Sequence, residues 1–280
     1  MPRLARLDSR PPRLSPAGRD DGGQAPGVLH HIIIRGIERR KIFRDDKDRD
    51  NLLERLSDLL PATNTACYAW AFLGNHIHLL VADDGDREVI PKSIKLIAGR
   101  TGQEYNQRKS RKGAFWEDRY HATAVEEGDH FFRCLVYIDL NMVRAGVVSH
   151  PSMWPFCGYN EIQSPRKKNV LIDHEKLRAL VGIRSYASMR LHHKGWIDEY
   201  LGRQETGRDD KWTRSIAVGS KGFVEKVRSI LFGLVKGRKV KESGDGYQLR
   251  ETSAPYRVDF EAENEDIGLE NTHFWKSFAD

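Results

Sequence analysis

The chain has 280 residues, 39% hydrophobic and 31% charged, enough for one large domain or two small ones around a buried core. No run approaches the roughly 18 apolar residues of a membrane helix, no apolar leader core is present, and three cysteines are too few for a disulfide framework. The formal charge is +6, but residues 251–280 hold eight acids against two bases, so a basic body precedes an acidic tail. These features predict a cytoplasmic protein with no membrane attachment. The basic body suits a polyanionic partner, most often nucleic acid, although a protein that merely happens to be basic has the same balance.

Residues 1–27 contain five of the eleven prolines and five arginines without periodicity, which predicts a flexible arm. Order is expected from Val28, where VLHHIIIRG reads as a buried strand. In DDKDRDNLLERLSDLL the leucines Leu52, Leu53, Leu56, Leu59 and Leu60 recur at helical spacing behind an acidic first turn, and Pro61 is expected to stop the helix. ACYAWAFL and HIHLLVA read as two strands joined tightly at Gly74-Asn75. Pro91 is expected to open a helix to about Tyr105. A basic loop, an extended GAFWEDRYHATAV and a helix over 126–145 capped by Gly146 follow. This order approximates a split βαβ unit and predicts an antiparallel-rich sheet with helices on one face. Residues 161–250 read as a smaller helical C-terminal region, with helices near 174–181, 186–201 and 220–233, and GRDDKW as a linker.

Three groups of residues could carry chemistry. In GNHIHLLV, His76 and His78 are two apart, so on a strand both imidazoles leave the same face. Neutral imidazoles so placed could share a metal ion, or could be two histidines on a strand edge. In CLVYIDLNMVRAG, Tyr137 and Asn141 are neighbours at i and i+4 on a helix. They could be a nucleophile and a further metal ligand, or a core tyrosine with its hydroxyl at the rim. In RKSRKGAFWEDRYH, four positive charges fall within 108–112, followed by Phe115, Trp116, Arg119 and Tyr120. Cations beside aromatic faces suit phosphates and unpaired bases, and a solvated loop before a core strand has the same composition. His121, His130, His192 and His193 have no ligand spacing and read as surface or structural.

The ordered set RGIERRKIF, GNHIHLLV, FWEDRYHA and YIDLNMVRAGVV resembles the single-tyrosine HUH transposases, in particular the REP-associated tyrosine transposases and their insertion-sequence relatives, over about 29–159. WTRSIAVGSKGFVEKV is similar to the C-terminal extension of longer members. The resemblance implies a ferredoxin-like α/β nuclease domain over 28–160. It implies that His76 and His78 bind Mg²⁺ or Mn²⁺, that Asn141 completes the site, and that Tyr137 attacks single-stranded DNA to give a 5′-phosphotyrosine link and a free 3′-hydroxyl. Substrates would be single-stranded or hairpin DNA, with a homodimer or a monomer both represented among relatives. Arg108, Lys109, Arg111, Lys112 and Arg119 are the expected strand contacts. The pattern departs from the family at Gly74 and at Met142, both commonly proline in relatives. Two other readings stay open: a catalytically silent DNA-binding regulator of the same fold, and a metal-dependent hydrolase built on His-x-His.

Overall fold

The computed structural model describes residues 28–83, 85–86, 88–117, 120–203, 209–231 and 238–250; the expected arm and acidic tail lie outside the described residues. The chain opens with β1 (Leu29–Arg35), α1 (Asp46–Ala62), β2 (Ala66–Phe72), β3 (His76–Ala82), α2 (Val89–Arg108) and β4 (His121–Val125). These four strands lie side by side in the order β2-β3-β1-β4, each antiparallel to its neighbour, which is the split βαβ arrangement. α1 starts at a capping box, in which the Asp45 carboxylate accepts from Asp48 N at 2.9 Å and the Asp48 carboxylate accepts from Asp45 N at 3.3 Å. Pro61 lies within the last turn of α1 rather than stopping it, and Thr63 N closes that turn on the Leu59 and Leu60 carbonyls.

The helix expected over 126–145 is two pieces, α3 (Asp129–Asp139) and α4 (Asn141–Arg144). Gly128, at φ +77°, sets the start at Asp129, and Leu140, at ψ 4°, interrupts the helix between the two. Further on come α5 (Gly158–Gln163), α6 (His174–Leu180), α7 (Tyr186–Gly202), α8 (Lys211–Arg214), β5 (Ser215–Gly219), α9 (Lys221–Ile230), β6 (Lys239–Ser243) and β7 (Gly246–Arg250). The C-terminal region thus supplies the expected helices and, in addition, three strands. They extend the sheet to seven strands in the order β2-β3-β1-β4-β5-β7-β6, with β4 and β5 parallel. α8 occupies the end of the stretch expected as a linker.

Every residue of β2 and β3 is buried, so helices cover both faces of the sheet centre, not one. Residues directly opposed in antiparallel strands share a face. Ile33 opposes His78 and His121, Arg35 opposes His76, and His31 opposes Thr123. One face therefore carries His31, Arg35, His76, His78, His121 and Thr123, and the other carries Ile32, Ile34, Ile77, Leu79 and Val81. α3 packs against β2, β3 and β4 and brings Tyr137 to the polar face.

Candidate active site

His76 and His78 leave β3 together, 4% and 0% exposed, with ring centroids 4.9 Å apart. Tyr137 enters from α3, 6% exposed, its ring 6.2 Å from that of His78. Helix and strand thus deliver a phenol and two imidazoles to one buried cluster.

The hydrogen bonds around the imidazoles assign their tautomers. His31 Nδ1 lies 3.0 Å from the Trp212 carbonyl, which can only accept, so this nitrogen carries the proton. His31 Nε2, 2.8 Å from His78 Nδ1, then accepts from His78 Nδ1–H, and the lone pair of His78 sits on Nε2. That Nε2 atom is buried and has no hydrogen-bond partner. His76 behaves in parallel. The Asn75 amide donates from Nδ2 to the Arg39 carbonyl at 2.7 Å, leaving Oδ1 to accept from His76 Nδ1–H at 2.6 Å. Both imidazoles therefore present Nε2 as the donor atom. Burial, reinforced by nearby cations, pushes His78 well below the usual histidine range, and burial takes His31 down to about 3. Both rings are neutral at pH 7.

Asn141 opens α4 one turn beyond Tyr137, across the break at Leu140, and is 8% exposed with its Nδ2 buried and unpartnered. Among the described residues no group of three or more His, Cys, Asp or Glu is placed to hold a metal ion. The two Nε2 atoms on one face, one of them a buried lone pair without a partner, are donors of a kind that fits a divalent cation.

Two groups cover the tyrosine. The Arg144 guanidinium lies 4.0 Å from the centroid of the Tyr137 ring and donates to the Tyr137 carbonyl. The Trp212 ring is 6.2 Å away on the other segment. Burial lowers Arg144 to about 10, so it stays cationic at neutral pH.

Residues 25–140 match the family model described as "Transposase IS200 like". That part of the chain is similar to IS200-like transposase domains. Two solved structures are similar to the chain. A REP-associated tyrosine transposase bound to a REP hairpin is 17% identical, covering 51% of this chain and 84% of its own, with a TM-score of 0.39. A putative transposase from Deinococcus radiodurans is 18% identical, covering 42% of this chain and 91% of its own, with a TM-score of 0.32. No curated protein matches the chain significantly.

The matched segment contains Tyr137, His76 and His78, whereas Trp212, which touches both His31 and Tyr137, comes from the C-terminal region. His31 and Asn75 are partners that sequence reasoning missed, and so is the placement of His121 on the histidine face. A signal existed for His31: a polar residue facing inward from an apolar strand implies a buried partner.

The basic loop is more occupied than its composition suggests. Arg108 is ion-paired with Asp48, and Lys109 lies 3.1 Å from Asp45, so both neutralise the acidic start of α1. Arg111 is 6% exposed and donates to Asn106 Oδ1 and the Ala114 carbonyl, each at 2.7 Å, which makes it a loop brace. Lys112 is exposed, and Arg119 lies outside the described residues. Among the described residues no helix is long and apolar enough to cross a membrane.

Proposed function

We propose that the chain is a metal-dependent tyrosine transposase that cleaves and rejoins single-stranded or hairpin DNA in the cytoplasm. The observation that carries this reading is the meeting of the Tyr137 ring with the His76–His78 pair on one buried sheet face, within a segment similar to IS200-like transposase domains. Tyr137 is the nucleophile. Its Oη forms a bond to phosphorus while the bond from phosphorus to the 3′ oxygen breaks. The phenol gives up its proton, and the departing 3′ oxygen takes one up. The product is a 5′-phosphotyrosine link, and attack by another 3′-hydroxyl reverses the step to rejoin DNA.

His76, His78 and Asn141 are the residues that would hold Mg²⁺ or Mn²⁺. Bound there, the cation polarises a phosphoryl oxygen and orients the phosphate. His31 and Asn75 keep the two Nε2 lone pairs available. With Tyr137 at 6% exposure, strand entry requires Arg144 or the Trp212 segment to give way.

The test uses the full chain with hairpin oligonucleotides and Mn²⁺, read as protein-linked DNA on a denaturing gel. Wild type forms the adduct and loses it with chelator. Tyr137→Phe binds the hairpin and forms none. Adduct formation by Tyr137→Phe rejects the assignment. Hairpin binding by wild type that persists with chelator, without any cleavage, points instead to a silent regulator.

A further inference from the structure

We propose that His31 is a positioning residue of the metal site, fixing His78 in the tautomer that presents Nε2, and that it takes its own orientation from the C-terminal region through the Trp212 carbonyl. This rests on the metal reading of His76 and His78 given above. The chain of bonds has a defined direction. A main-chain carbonyl accepts from His31 Nδ1–H at 3.0 Å, and His31 Nε2 accepts from His78 Nδ1–H at 2.8 Å. The last member, His78 Nε2, is buried and unpartnered. A lone pair buried without a donor costs free energy unless something occupies it, and here the proton that would otherwise mask it has been drawn to the far side of the ring.

The His31 and His78 rings lie nearly in one plane, joined edge to edge by that bond with centroids 5.0 Å apart and 14° between planes, so rotation of His78 is constrained as well as its protonation. His31 is not itself a ligand in this arrangement, because its one lone pair is committed to His78. Outer partners of this kind orient ligating imidazoles and raise their basicity.

The anchor is part of a local lock. Thr123 Oγ1 lies 3.3 Å from the Trp212 carbonyl and 2.6 Å from the Ser215 carbonyl, joining β4 to the start of β5. The Trp212 carbonyl thus accepts from His31 and lies beside Thr123, the opposed residue of β4, whose one hydroxyl proton goes to the Ser215 carbonyl. The consequence is that a residue outside the matched segment completes the orientation of a residue inside it.

The experiment measures Mn²⁺ binding to the full chain by calorimetry and reads the His78 tautomer from ¹⁵N spectra. His31→Leu removes both the donor and the acceptor. Mn²⁺ affinity should fall about 10–100-fold, and the ¹⁵N signals of His78 should leave the Nδ1–H form. His31→Gln retains one donor and one acceptor at nearly the imidazole spacing and should recover part of the affinity. Wild-type affinity together with the wild-type tautomer in His31→Leu overturns the proposal. Should His31→Leu fail to fold, the metal-free wild-type spectrum decides, since His78 found as Nε2–H contradicts the assignment. His76→Ala and His78→Ala separate the two readings. Unchanged Mn²⁺ affinity in both removes the metal site and this inference with it, whereas loss there without loss in His31→Leu removes the inference alone.

Discussion

The guanidinium of Arg144 lies 4.0 Å from the centre of the Tyr137 ring. α4 is a single turn that follows the break at Leu140, and its Arg144 reaches back over the tyrosine of the preceding helix. A phosphate offered to the Tyr137 hydroxyl comes within reach of a forked cation that suits phosphate oxygens. Arg144→Met should slow adduct formation about 10–100-fold with hairpin binding little changed, and Arg144→Lys should fall between. Quenched single-turnover reactions on denaturing gels check this; an undiminished rate in Arg144→Met removes the role.

The loop after α2 invites a contrast between two lysine and arginine positions. Asp48, whose side chain is 1% exposed, accepts from Arg44 N at 2.9 Å and Asp45 N at 3.3 Å and pairs with Arg108. Asp48→Ala strands these donors and should cost about 2–4 kcal/mol, lowering Tm by about 5–10 °C. Arg111→Ala should likewise appear in Tm. Lys112→Ala should leave Tm unchanged, weaken hairpin binding and reduce the salt slope by about 1. Titrations at several salt concentrations, beside thermal melts, distinguish the two behaviours.

A pH dependence is expected at the junction of α3 with the C-terminal hairpin. Burial pushes the Asp245 carboxyl up, but its bonds to Lys211 and Arg133 more than reverse this and leave it below the usual aspartate range. For a carboxyl whose folded value is depressed, the folded state binds fewer protons. Its stabilisation is present above the unfolded value, about 3.8, and is lost as pH falls through the folded value. The Asp245→Asn protein should be less stable than wild type at pH 6, and the gap should close towards pH 3. Urea unfolding at both pH values measures it, and a gap constant across the range contradicts the linkage.

The central four strands and their helices are legible in the sequence because their signals are local: a β-branched run before Gly36, a leucine stripe from Leu52 to Leu60, and a two-residue connection at Gly74-Asn75. β5, β6 and β7 are not. Ser215–Gly219 has five residues and no clean alternation, and its strand state depends on pairing with β4, about ninety residues earlier. Gly244-Asp245 between KVKES and GYQLR is a hairpin signal that could have been read. At the site, His-x-His spacing fixes a shared face, and helical spacing sets Asn141 one turn past Tyr137. What spacing leaves open is which nitrogen of each ring is available, because that depends on His31 from another strand and a carbonyl from residue 212. The basic loop shows the opposite limit, since composition counts Arg108 and Arg111 as exposed charge, while the fold turns them inward to pair with α1 and brace the loop.

Asp139 and His193 form a second buried pair, on the end of α3 that holds Tyr137. His193 Nε2 lies 2.7 Å from Asp139 Oδ2 with both side chains fully buried, and Gln163 Nε2 lies 2.9 Å from His193 Nδ1. Since the amide donates to Nδ1, the ring proton sits on Nε2 and points at the carboxylate. Burial pushes Asp139 up, and the bond to His193 offsets part of that shift. His193 belongs to the buried stripe of α7 with Met189, Trp196 and Ile197, so this bond fastens α7 to the tyrosine helix. His193→Leu leaves a buried carboxylate without its partner and should cost about 3–5 kcal/mol. Asp139→Leu leaves an imidazole in the same position. The double variant, apolar on both sides, removes the uncompensated groups together and should be less destabilised than the sum of the two single variants. Denaturant unfolding of the four proteins gives the coupling. Strict additivity would mean that the two side chains contribute to α7 docking independently, and that the tyrosine helix is held there by packing alone.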